Sequence, residues 1–72
     1  MNFKLKILEA ARSHFESELL KAELNLENYL LRSSGIGEHP DIMNEVILLI
    51  KKASEAKEAL EYTLEKLPNK GK

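Results

Sequence analysis

From Ile42 to Leu67, apolar or small side chains return at alternating spacings of four and three residues: Ile42, Val46, Leu49, Ala53, Ala56, Leu60, Thr63 and Leu67. That alternation keeps one stripe on one face of an α-helix, so the segment reads as a helix with a coiled-coil-type seam. A second series has the same spacing: Leu5, Leu8, Arg12, Phe15, Leu19, Ala22, Leu26, Tyr29 and Ser33, with Arg12 interrupting it. Ala, Leu, Glu and Lys dominate both stretches, and Gly and Pro are absent from their interiors. The pattern predicts helix 1 over about 3–34 and helix 2 over about 40–67. Phe3, Leu5 and Ile7 alternate with Lys4 and Lys6, which is a strand-like pattern. A lone strand would find no partner in this chain, so helix is preferred, and the state of the first seven residues stays open at this point.

The residues between the helices specify a sharp turn. Gly35 suits a left-handed position just after helix 1, with Ser34 as the C-cap. Ile36 would then fold back on Leu31, and Arg32 in the last turn would meet the negative end of the helix dipole. Gly37 gives a second bend. Pro40 fits the first position of helix 2, where its missing N–H is no loss, and Asp41 follows in the first turn. Pro68 stops helix 2, and residues 68–72 read as a frayed tail. The expected fold is all-α: one domain over 1–72, an antiparallel two-helix hairpin with its turn at 35–39.

One seam does not account for all the apolar residues. Leu20, Leu24 and Leu31 fall away from the seam of helix 1, and Met43, Ile47, Leu48 and Ile50 make the first half of helix 2 apolar nearly all round. Two helices have no third element to cover these residues, and exposed apolar patches mark association. They form the expected oligomer interface, and two hairpins would give a four-helix bundle. Ordering about 60 residues at about 1.5 kcal/mol each points the same way, because one shared seam does not recover it. Whether the hairpins pair parallel or antiparallel is open. So is whether the cover is a second copy or a different chain. The remaining surface is charge-mixed, with Lys51–Glu55 and Lys57–Glu61 as candidate i,i+4 pairs worth a few tenths of a kcal/mol each.

Composition narrows the function classes. Eleven Lys and Arg stand against twelve Asp and Glu, for a net charge of −1. Lys51–Lys52 is the only adjacent basic pair, so strong binding to a phosphate backbone is not expected. There is no cysteine, hence no disulfide framework and no thiolate metal site. The longest apolar run, Val46 to Ile50, is far short of the roughly 20 residues a membrane span needs. With no signal peptide in view, a cytoplasmic protein is expected. At 72 residues the chain must be stabilised by packing and self-association.

Candidate chemistry is sparse. Neither His14 nor His39 has a Glu three residues before it, as bundle metal sites require. His14 and Glu18 share a helix face, and His39 abuts Pro40 as a turn residue. Ser13, Ser17, Ser33, Ser34 and Ser54 have no His/Asp arrangement around them. Gly35–Ile36–Gly37 lacks the lysine and strand context of a phosphate loop. Phe15 and Tyr29 fall on the seam as core, and Tyr62 falls off it. Base stacking would need clustered rings beside basic residues. An interfacial membrane helix would need an unmatched basic flank. Neither pattern is present. No catalytic, cofactor-binding or metal-ligating residue is assigned, and no cofactor is expected.

The run Gly35-Ile36-Gly37-Glu38-His39-Pro40-Asp41-Ile42, preceded by Ala22-Glu23-Leu24-Asn25-Leu26-Glu27-Asn28-Tyr29-Leu30, resembles short helical-hairpin proteins encoded by T4-like phages of aquatic bacteria. The resemblance covers most of the chain, and its most distinctive part is the turn. It implies a small phage accessory protein acting in the host cytoplasm, and it transfers no catalytic residue. The expected function is a non-enzymatic homo-oligomeric interaction protein, a homodimer able to bind a further protein. The alternatives are a dimeric helical nucleic-acid regulator and a subunit of a hetero-oligomeric helical complex. A continuous basic stripe through Arg12, Lys21, Lys51, Lys52 and Lys57 would favour nucleic acid. Interspersed Glu16, Glu23, Glu55, Glu58 and Glu61 would favour protein.

Overall fold

Asn2 sets the start of the first helix. Its Oδ1 accepts a hydrogen bond from the Leu5 N–H at 3.2 Å, and its carbonyl accepts one from the Lys6 N–H at 3.1 Å. The side chain thereby occupies one of the orphan donors of the first turn, as an N-cap does. The chain is described by a computed structural model over residues 2–36 and 40–68, with α1 spanning Phe3–Ile36 and α2 Pro40–Lys66. The alternation of Phe3, Leu5 and Ile7 is therefore helical: Leu5 is half-buried, while Phe3 and Ile7 are exposed.

The far end of α1 corrects the expected cap. The helix continues through Gly35 to Ile36, so Ser34 is not its last residue and Gly35 is a helical position. A glycine costs a helix only about 1 kcal/mol relative to alanine, too little to end it outright. Arg32 is accordingly no longer in the last turn, which holds no basic residue. Gly37, Glu38 and His39 lie outside the described residues, as does the expected Ile36–Leu31 side-chain contact. Pro40 opens α2 and Asp41 sits in its first turn. At the other end the Leu67 N–H is shared between the carbonyls of Thr63 and Leu64, both at 3.2 Å, and Pro68 follows. Lys66 in that last turn suits the dipole. Residues 69–72, the expected tail beyond Pro68, lie outside the described residues.

The two helices pack antiparallel as a hairpin. Its extents are 54 × 21 × 14 Å. The radius of gyration is 16.3 Å, against about 11 Å for a compact chain of this length. The molecule is thus a slab two helices wide and one helix thick. Every described residue of the two seam series is buried or half-buried, from Leu5 to Tyr29 and from Ile42 to Leu67. Ala22, Leu49, Ala56 and Thr63 are the most enclosed. Three of these four are small, which lets the backbones approach closely. Among the described residues no large side chain is fully buried. The Thr63 hydroxyl is satisfied in place, donating to the Ala59 carbonyl at 2.8 Å.

Candidate partner surface

Heptad geometry divides the slab into two broad sides. With the seam at positions a and d, positions e and b flank it on one side and g and c on the other. In an antiparallel pair e faces e and g faces g. The g side shows this directly: Glu18 and Asn25 of α1 line one groove together with Lys52 and Ala59 of α2.

That groove has a volume of about 540 Å³ and is open to solvent. Its floor is Phe15, Ala22, Leu49 and Ala56, and its rim carries His14, Glu18, Lys21, Lys52 and Glu55. Small floor residues leave the room, and the rim mixes both charges. The His14 ring packs edge-on against Phe15, with centroids 5.1 Å apart. The Lys21 ammonium lies 4.0 Å from Glu18. No three His, Cys, Asp or Glu side chains among the described residues stand close enough to hold a metal ion. No buried side-chain polar atom among them lacks a hydrogen-bond partner. The groove therefore holds no buried donor or acceptor left without a partner.

The opposite side is apolar. Leu20, Leu24 and Leu31 of α1 and Met43, Ile47 and Ile50 of α2 are all exposed, from 49% for Ile47 to 76% for Leu31. The heptad places Leu20, Met43, Ile47 and Ile50 at e or b on this side, and Leu24 and Leu31 at f, on the outer edge of α1 opposite the seam. Leu48 is also exposed, but it falls at c, on the groove side of α2. The seven residues expected at an interface are thus all on the surface, four of them on one side and two on the adjoining edge of α1. Sequence reasoning passed over Leu30 and Leu64, exposed e positions on the apolar side, and also Phe3 and Ile7. A helical wheel extended to e would have found the first two. The exposed Tyr62 ring lies under the Lys66 ammonium, 5.1 Å from its centroid.

Arg12 explains its own interruption of the seam. Its Nε donates to Glu9 at 3.0 Å and its Nη1 to Glu16 at 3.1 Å, while Nη2 also bonds Glu9. Glu9 and Glu16 are the e positions one turn to either side of it. Hydrogen bonding to Glu9, then to Glu16, raises the guanidinium pKa. The sign follows: what the raised Arg12 pKa adds to stability is lost only as the guanidinium deprotonates, above arginine's usual range. The expected Lys51–Glu55 and Lys57–Glu61 ion pairs are not closed. Among the described residues the ion pairs cluster on α1, at Arg12–Glu9, Arg12–Glu16 and Lys21–Glu18.

No helix among the described residues is long and apolar enough to cross a membrane. No protein-family model, curated protein or solved structure matches the chain.

Proposed function

We propose that this chain is a non-enzymatic interaction protein that works as a homodimer, using its apolar side as the pairing surface. The observation that carries this is the exposed set Leu20, Met43, Ile47 and Ile50 on one side of a slab one helix thick, continued by exposed Leu24 and Leu31 on the outer edge of α1. Contiguous apolar surface of this kind is uncommon on monomers and marks sites of association. A second hairpin would cover it and complete a four-helix bundle. The opposite side would then face solvent or a further protein.

The basic residues do not favour a nucleic-acid partner. Arg12 is held by Glu9 and Glu16. Lys21 and Lys52 fall on the groove side beside Glu18 and Glu55. Lys57 falls at e on the apolar side, and Lys51 at f on the outer edge of α2. No single stripe collects them, and backbone binding needs several phosphates neutralised together. The phage resemblance adds an accessory role in an infected cell to this proposal, and most of the turn that carries it lies outside the described residues.

Sedimentation equilibrium at micromolar concentration tests the reading. The expected mass is twice that of the 8.2 kDa chain. A folded monomer under those conditions would overturn it.

A further inference from the structure

We propose that the outer edge of α1 docks a basic amphipathic helix of another protein, with Leu24 and Leu31 as anchors and Glu23 and Glu27 as counter-charges. This goes beyond the homodimer. A second copy stacked on the apolar side covers the e and b positions, whereas f points out of the slab at its edge. Leu24 and Leu31, both at f, are 55% and 76% exposed. They belong to a second repeat on α1: Ser13, Ser17, Leu20, Leu24, Glu27 and Leu31, at alternating steps of four and three, all exposed. That alternation is the spacing one helix offers another along a seam. From 13 to 31 it extends about 27 Å at about 1.5 Å per residue. Between the two leucines lies a shallow hollow lined by Leu24, Asn25, Glu27, Asn28 and Leu31. Positions 24, 27, 28 and 31 stand as i, i+3, i+4 and i+7, the four that frame a hole for a partner helix's side chain.

Charge selects the occupant. Glu27 lines the hollow, and Glu23 lies one turn before it, at the i,i+4 spacing where like charges repel. Among the described residues the ion pairs engage Glu9, Glu16 and Glu18, but neither Glu23 nor Glu27. Two unmatched acids beside two exposed leucines break a local rule with no gain inside the hairpin, which marks a site that something else completes. A helix with an apolar stripe flanked by lysine or arginine supplies both halves of the match, in the helix-in-groove mode of recognition. A second copy does not. A symmetric contact lays the same patch on itself, so Glu23 and Glu27 of both copies would gather at one edge. A phosphate backbone or an anionic lipid surface would meet the same acids and be repelled.

The probe is a fluorescein-labelled synthetic peptide of leucine and lysine, about 18 residues long to match the edge, with its leucines on one helical face. A control peptide carries glutamate in place of lysine. In an anisotropy titration the lysine peptide should saturate at one per chain and weaken with added salt, and the control should not bind. Equal binding of the two peptides would overturn the charge match. Leu24→Ala combined with Leu31→Ala should weaken the lysine peptide at least about tenfold. Glu23→Gln combined with Glu27→Gln should weaken it at least about threefold and flatten its salt dependence. All four side chains are exposed, so helicity should be unchanged in both variants. Ile47→Ala is the control on the apolar side: if it costs more than the paired leucine change, the edge is not the site. Sedimentation then separates this proposal from self-association. A dimer carrying two peptides supports both. A dimer that takes none overturns the docking edge alone. A monomer that binds through Leu24 and Leu31 overturns only the homodimer. A peptide that splits the dimer into one-to-one complexes occupies the pairing surface, and the edge assignment fails.

Discussion

On one broad side of the hairpin Leu20, Met43, Ile47 and Ile50 stand exposed, and on the other Glu18, Lys21, Lys52 and Glu55 rim an open groove. Both sides flank the same seam and share the same helices. The seam makes the hairpin, and two of its most buried residues are alanines, Ala22 and Ala56. Small residues let helices meet but bury little apolar area. The seam alone therefore leaves the slab without any fully enclosed large side chain among the described residues. The flanks decide what happens next. Charges of both signs keep the groove side compatible with water, whereas exposed leucine and isoleucine make the other side costly to leave uncovered.

The sharpest way to break this contrast is to make the apolar side polar. Leu20→Glu combined with Ile47→Glu should raise the dimer dissociation constant at least about 100-fold, or roughly 3 kcal/mol, because two buried carboxylates per copy would lack partners. Helicity by circular dichroism should fall with it. Leu48→Glu is the matched control on the groove side and should cost less than about tenfold. Equal losses from the two changes would mean that the sides are not distinct.

The seam should respond next. Leu49 is buried between the helices. Leu49→Ala should lower unfolding free energy in urea by about 2 kcal/mol, the low end for such truncations, because a thin slab can collapse into the space left. Replacing the cap should cost less. Asn2→Ala removes an exposed bond of 3.2 Å to the Leu5 N–H, and the expected loss is about 0.5–1 kcal/mol by thermal melting. That loss should be the same in dimer and monomer, since it concerns only the first turn of α1.

The seam was legible in the sequence because the four-three spacing is itself the packing rule, and every described residue of both series lies in or beside it. Arg12 looked like a flaw from spacing alone. Its resolution needed Glu9 and Glu16 to be seen as its neighbours on the same helix. The end of α1 was misplaced by two residues because a glycine near a terminus shifts the balance by only about 1 kcal/mol. The exposed apolar residues could be named beforehand, but not sorted into sides. Sorting them required knowing that antiparallel packing sets e beside e, which separates Leu48 from Ile47 and Ile50. Leu30 and Leu64 were passed over because an e residue next to a seam reads as a widening of it.

The smallest predicted effect sits on the groove side, and it is informative for being small. The Lys21–Glu18 pair spans 4.0 Å with side chains 70% and 49% exposed. Water and salt screen such a pair, and holding two long side chains together costs rotamer freedom, so its net contribution lies between about 0 and 1 kcal/mol. Lys21→Ala should therefore change unfolding free energy by less than about 0.5 kcal/mol. Its dimer dissociation constant, measured by sedimentation, should match that of the unaltered chain. A drop in self-association on losing this lysine would place the groove side inside the interface. The charged rim would then be a pairing surface, and the distinction between the two sides of the slab would fail.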